Sequence, residues 1–254
     1  MKLANLLQST IPIFVGTFTL LILGSLNLPQ GAVNKISMDM SARSLFKGQA
    51  VYGRGTVYYS TKGGLMVTKM DTPIDQVVMV TGTGEYKAYD RKSNTVQLMQ
   101  GLELSSKGSF IYSFLNGKTE DMGLEGIGFK LTNTHYDDGV LVKTFVAPVN
   151  KGNSQIDKAE VAYENNLPIF IGFFDANDVA VSKTYYTNYQ SIGIFPMPMT
   201  ITEINFLSPS DSTISQKKYS NVKINAGVSE EWLNFIIPAD AQIVSGIPSD
   251  LLGQ

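Results

Sequence analysis

The chain has 254 residues, enough for one large β domain or two small ones, and its 43% hydrophobic content can fill a sizeable core. Its 20 basic side chains against 22 acidic ones leave a net charge of -2, so there is no basic surplus to hold a nucleic-acid backbone. Cysteine is absent, which excludes a disulfide framework, a thiol nucleophile, a thiolate metal site and a lipid on an N-terminal Cys.

At the N-terminus, Met1-Lys2 is a thin positive region and residues 11–28 form an apolar run. Pro29-Gln30-Gly31-Ala32 then offers small residues to a signal peptidase, with cleavage expected after Ala32. This pattern predicts residues 1–32 as an export signal and 33–254 as the mature domain. An uncleaved anchor is the alternative, because the run is nearly long enough to span a bilayer.

Residues 33–46 carry Ile36, Met38, Met40 and Leu45 among polar residues and read as a short helix leading into the first strand. That strand begins in Phe46-Lys47-Gly48-Gln49-Ala50-Val51-Tyr52, and Gly53 and Gly55 allow it to bend. From Gly55 to Leu98, short β-branched and aromatic runs alternate with turns rich in Gly, Asn and Asp, the signature of an antiparallel meander. Within these runs Val57 and Tyr59, Leu65 and Val67, Tyr86 and Ala88, and Val96 and Leu98 each share a parity, and together they predict one continuous apolar face.

Between Gly101 and Gly126 the spacing changes. Leu102, Leu104, Phe110, Ile111, Phe114 and Leu115 fall at helical intervals, with Ser105, Ser106 or Ser109 as a cap and Asn116-Gly117 as a stop. A helix amid strands needs somewhere to bury its apolar side, and the mouth of a curved sheet provides it.

Strand rhythm then resumes. Residues 131–136 and 140–146 flank Asp137-Asp138-Gly139 as a hairpin, and further strands are predicted over 156–163, 167–174, 179–189, 199–206 and 214–224. Glu230 to Pro238 closes the domain with a short apolar segment whose Glu pair suits the first turn of a helix. The predicted fold is mainly β, a single antiparallel unclosed barrel of about ten or eleven strands, with a few helices covering its concave apolar face.

The inventory argues against an enzyme. His135 is the lone imidazole, so a multi-histidine metal site cannot exist, and no nucleophile motif accompanies it. The carboxylate pairs Glu120-Asp121, Asp137-Asp138 and Glu230-Glu231 have readings as turns or helix starts. Gly82-Thr83-Gly84 and the stretch 123–128 lack the strand-loop-helix context and the Lys-Ser/Thr pair of a phosphate loop. No catalytic residue, metal ligand or cofactor is expected. What remains is an apolar surplus, with 13 Phe, 12 Tyr and 10 Met, read either as a filled core or as a curved sheet around a greasy cavity.

The runs Gly55-Thr56-Val57-Tyr58-Tyr59 and Gly64-Leu65-Met66-Val67, with Pro73, Val80, Gly82 to Gly84 and Tyr89-Asp90, resemble the N-terminal half of periplasmic lipoprotein carriers of the LolA type. Residues 169–173, Pro198, Ile204 and the ending Phe235-Ile236-Ile237-Pro238-Ala239-Asp240-Ala241 resemble the closing strands of that superfamily. The resemblance covers most of residues 46–244. It implies an unclosed β-barrel in the periplasm that shields lipid or lipoprotein acyl chains and moves them toward the outer membrane. An inner-membrane release complex and an outer-membrane receptor are its implied partners, and a monomer its implied state. The expected cavity lining is Val57, Tyr59, Leu65, Val67, Tyr86, Val96 and Leu98, with Phe110, Ile111, Phe114 and Leu115 as lid. Where the carriers have an Arg-Pro that helps hold the lid shut, this chain has Thr61-Lys62, and whether Lys62 replaces that Arg stays open. The alternative function is an envelope protein-interaction or sensor module on the same fold, working through an exposed strand edge or through surface Tyr and Met residues.

Overall fold

Tight turns set the architecture. In the computed structural model, which describes residues 33–149, 155–208 and 211–244, three two-residue turns have both residues in the left-handed region. They are Lys47-Gly48 (φ 46° and 77°), Asp138-Gly139 (46° and 84°) and Asn165-Asn166 (50° and 62°). This geometry matches the right-handed twist of the flanking strands, so each turn folds its strands back as a hairpin. The first meander contains β1 (Lys35–Phe46), β2 (Gln49–Ser60), β3 (Leu65–Thr72), β4 (Gln76–Val80), β5 (Glu85–Asp90) and β6 (Thr95–Gln100). A second contains β7 (Lys130–Asp137), β8 (Val140–Val146), β9 (Lys158–Glu164), β10 (Leu167–Phe174), β11 (Ala180–Ile192), β12 (Phe195–Ser208) and β13 (Asp211–Ile224).

The two meanders become one sheet because β1 pairs with β13, for example Met40 with Tyr219 and Ala42 with Lys217. With the short β14 (Gln242–Ile243) parallel to β6, the order is β14-β6-β5-β4-β3-β2-β1-β13-β12-β11-β10-β9-β8-β7. The sheet is unclosed, as expected, with β7 at one edge. The link from β6 to β7 joins opposite sides of this sheet and carries α1 (Phe110–Leu115), whose Phe110 and Phe114 meet Tyr219, Tyr186 and Tyr189 on the strands. Burial of Ile36, Met38, Tyr59, Ile111, Phe114, Met197 and Ile201 makes the main core between helix and sheet.

Three expectations are corrected. Residues 35–46 are strand, not helix, because Ile36, Met38 and Met40 alternate toward the core side and both long edges find partners, β2 and β13. The helix expected within 101–126 is α1 alone, preceded by two 3-10 turns. Ser105 Oγ accepts from Lys107 N and Ser109 Oγ from Tyr112 N, each at 3.2 Å, so the serines start new turns instead of continuing one helix. The segment at Glu230 makes one helical turn, with Asn234 N donating to Glu230 O at 2.9 Å, and then continues without regular secondary structure into a turn at Pro238–Ala241. Its Phe235 ring lies 6.0 Å from Tyr89, its Trp232 stacks on Phe235 at 5.4 Å, and Asn94 Nδ2 donates to Asp240 Oδ2 at 3.1 Å. The predicted signal at 1–32 lies outside the described residues.

Gly55 marks the closest approach of β2 and β3: a Cβ there would stand 2.2 Å from the Lys69 carbonyl oxygen, beside the register shift at Arg54/Gly55. Gly55→Ala is therefore expected to cost ~2–3 kcal/mol. Gly48→Ala, which has the left-handed φ of 77° but meets nothing within 4 Å, should cost ~1 kcal/mol. Urea unfolding of both variants tests the ranking, and a Gly48 variant as destabilised as the Gly55 variant would contradict it.

Candidate functional site

Facing residues of paired strands lie on the same side of a sheet, so register assigns each side chain to a face. Val57 pairs with Met38 and Thr68, Tyr59 with Met66, Met66 with Val80, and Val80 with Tyr86. This set faces α1. Tyr58 pairs with Val67, Val67 with Met79, Met79 with Lys87 and Lys87 with Leu98, which puts these residues on the opposite face. Val77, Tyr89 and Val96 pair in turn and share that outer face, where Phe235 meets Tyr89.

The expected lining is thus divided. Val57, Tyr59 and Tyr86 lie on the concave side. Leu65, Val67, Val96 and Leu98 lie on the convex side, and Leu98 is 47% exposed there. Alternation establishes which residues of one strand share a face, but the phase between strands depends on turn length. The loops at 61–64 and 91–94 change that phase, whereas that at 81–84 keeps it.

Between the concave side and the N-terminal end of α1 lies a cavity of about 410 Å³. Met40, Val57 and Met66 line it from the first meander, and Tyr186, Ile201 and Tyr219 from the second. Phe110 and Ile111 close it from the helix, while Thr68, Thr184, Ser109, Glu203 and Lys217 supply its polar part. Of the expected lid residues, Phe110 and Ile111 touch the cavity. Phe114 and Leu115 are buried behind them in the core, Phe114 against Tyr186 at 5.9 Å and Tyr189 at 6.0 Å. The half supplied by β11, β12 and β13 was missed in the sequence, although Met197, Met199 and Ile201 alternate there as regularly as Val57 and Tyr59.

The polar part is modest in charge. Lys217 Nζ lies 3.5 Å from Glu203 Oε1, and both side chains are more than a third exposed, so their attraction is well screened. Burial pushes the phenols of Tyr186 and Tyr219 far above the ordinary tyrosine value of 10.0, and the Glu203 carboxylate pushes both the same way. Tyr163, which donates to the Glu120 carbonyl, is raised by burial and then by Asp121 and Glu120.

The groups weighed for chemistry are elsewhere. His135 stands on the fully exposed β7, and Asp138 occupies its hairpin turn. Asp121 accepts from Gly123 N at 3.1 Å and Glu125 N at 2.9 Å, a turn-capping role. Gly82 N donates to Gly63 O at 2.9 Å, which packs that glycine loop against the β2–β3 loop. Lys62 follows β2 in that loop, which is where the family's lid arginine was sought.

No family model matches the chain, and no curated protein does. Solved structures do. A domain named as an outer membrane lipoprotein-sorting protein from Vibrio parahaemolyticus superimposes with a TM-score of 0.56 at 15% identity, over 79% of this chain and 89% of that one. A DUF1329 family protein from Desulfovibrio piger gives 0.55 at 15% identity, over 80% and 90%. A LolA superfamily protein from Nitrosomonas europaea gives 0.53 at 13% identity, over 80% and 90%. The chain has the LolA-type fold. At these identities the likeness describes architecture alone, and the cavity of this chain is described by its own residues.

The tyrosines around the cavity make a pH prediction. A fold that holds phenols un-ionised contributes stability that is complete below the unfolded pKa of about 10, and this is lost as pH rises above it. Urea midpoints should therefore fall as pH rises past 10, and phenolate absorbance should show a late-ionising group of tyrosines that appears only with unfolding. Tyr219→Phe is expected to reduce that alkaline loss. A single titration of all tyrosines near pH 10 in the folded protein would refute the assignment.

Proposed function

We propose that the domain binds an acyl chain of a lipid or lipoprotein in the concave cavity and carries it through the periplasm toward the outer membrane. The observation that carries this reading is the apolar cavity itself, held between Met40, Val57, Met66 and Ile201 on the sheet and Phe110 and Ile111 on the helix. A volume of about 410 Å³ suits a small-ligand pocket. It accommodates on the order of a dozen methylenes if each takes roughly the 30 Å³ share of a water molecule, which favours one chain over several. Each buried methylene contributes about 0.8 kcal/mol, so even partial insertion gives useful affinity. No covalent step is needed: loading and release follow from relative affinities and movement of the helix. Among the described residues no helix is long and apolar enough to cross a membrane.

The alternative, a protein-interaction module, draws on β7. All eight of its residues are exposed, and it ends the sheet with a free strand edge.

The test is native mass spectrometry with organic extraction, on protein secreted with its own leader and purified from periplasm. Wild-type protein should retain stoichiometric lipid. Thr68→Trp, which fills the cavity from its polar side, and Val57→Glu should each lower retention at least ten-fold, equivalent to ~1.4 kcal/mol. Leu98→Glu, on the opposite face, should retain lipid fully. A lipid-free wild type that stays free after incubation with lipids and lipopeptides would overturn the carrier reading and favour the interaction module.

A further inference from the structure

The β1–β2 hairpin extends beyond its neighbour. Pairing of β2 with β3 ends at Arg54–Thr72, whereas β1 and β2 stay paired as far as Phe46–Gln49. Every residue from Lys47 to Tyr52 is exposed. The β12–β13 hairpin runs alongside, since Phe46 pairs with Thr213 and Leu45 with Ile214. Together the two tips present Val51, 56% exposed, Tyr52, 62%, Leu207, 59%, and Ile214, 38%. Exposed apolar groups concentrated on one protruding end mark an interaction surface.

Charge identifies the partner. From Met40 to Met70 the chain carries Arg43, Lys47, Arg54, Lys62 and Lys69 with no Asp or Glu, although the whole protein is net acidic at -2. Of the acids elsewhere on this end of the sheet, Asp71, Asp75 and Asp178 form ion pairs with Lys69, Arg91 and Lys158, and Asp90, Asp175 and Asp240 accept hydrogen bonds from amides. Among the described residues no carboxylate pairs with Arg43, Lys47 or Arg54. Asp211, at the start of β13, is the acid nearest the tips in sequence and register. Arg43 instead lies 5.7 Å from the Tyr52 ring centroid, and Lys47 5.0 Å from that of Phe46. Aromatic and aliphatic groups interleaved with unpaired cations match the boundary between headgroups and acyl chains of an anionic bilayer.

We propose that the two hairpin tips dock on an anionic lipid surface, with Val51, Tyr52 and Leu207 entering the headgroup layer while Arg43, Lys47 and Arg54 pair with lipid phosphates. The proposal stands apart from the cavity reading, because it rests on exposed side chains at the end of the sheet. The two are nevertheless aligned. Along β1 the concave side runs from Met38 in the core to Met40 at the cavity, then to Ala42 and Ser44 beside the tip, with Gly53 opposite Ala42.

The absence of Cys makes the test direct, because one introduced cysteine can carry an environment-sensitive dye. Full-length protein is labelled at Val51→Cys, or at Glu164→Cys on the exposed opposite end of the sheet. Each is mixed with vesicles of phosphatidylcholine alone or of phosphatidylcholine with phosphatidylglycerol. The tip dye should shift to the blue on the anionic vesicles only, and the Glu164 dye on neither. In the tip-labelled protein, Arg43→Ser and Lys47→Ser should each weaken partition about five-fold, with binding falling as salt rises. Equal responses of the two dyes would mean attachment through another part of the chain and would overturn the proposal. So would a silent tip dye, which would leave the patch to a protein partner. Because both positions are exposed, circular dichroism matching the unmodified protein is expected. Lipid retained in the cavity by a variant that no longer docks would separate failure of this proposal from failure of the carrier reading.

Discussion

Pairing of β1 with β13 is the constraint on which the rest depends. Each meander alone is a sheet with two open edges and an apolar face that nothing covers. Joining them through β1 and β13 leaves β6 and β7 far apart on opposite sides, so the link between them has to cross the concave side. That link carries the apolar residues Phe110, Ile111, Phe114 and Leu115, which become buried there. Strand pairing between the two ends of the chain therefore decides where the helix lies, and the helix decides where a cavity remains.

The cavity is economical only because it is not a dry void. At ~24 cal/mol per Å³, a sealed apolar hole of about 410 Å³ would cost about 10 kcal/mol, as much as a typical domain's entire stability. Thr68, Thr184, Glu203 and Lys217 keep part of the wall polar and hydrated, which removes most of that penalty in the unliganded state. Met40 and Met66 add side chains that re-pack around different shapes at little cost. The deeper wall is stiffer, because Tyr189 donates to the Pro168 carbonyl while its ring packs against Phe114.

Local chemistry was legible in the sequence and nonlocal phase was not. The turns at Asp138-Gly139 and Asn165-Asn166, the stop at Asn116-Gly117 and the placement of a helix in the sheet's mouth follow from residue types whose effects span a few positions. Among the described residues fourteen strands formed where about ten or eleven were expected, partly because β1 was read as helix. Its alternation of Ile36, Met38 and Met40 was visible, but the partner that makes it a strand, β13, comes at the other end of the domain. The division of Val57 from Val67, or of Tyr86 from Leu98, has the same origin. Each strand's parity was correctly seen, and only the pairing of Tyr58 with Val67 reveals that the parities alternate between faces.

Strand geometry also explains why one end of the concave side is shut and the other open. Toward the β2–β3 loop the inward positions of β1 and β2 are Ile36, Met38, Val57 and Tyr59, large side chains that α1 and Phe114 can pack against. Toward the hairpin tip the same alternating positions hold Ala42, Ser44, Gly53 and Gly55, too small to meet a helix across the sheet. A helix packed at that end would leave a gap, so the buried segment settles over the large residues and the cavity forms where the side chains shorten. Gly55 is held small by a separate demand, the close approach of the Lys69 carbonyl. Gly55 pairs with Met40, which lines the cavity, so this backbone requirement of the β2–β3 pair acts beside the cavity wall.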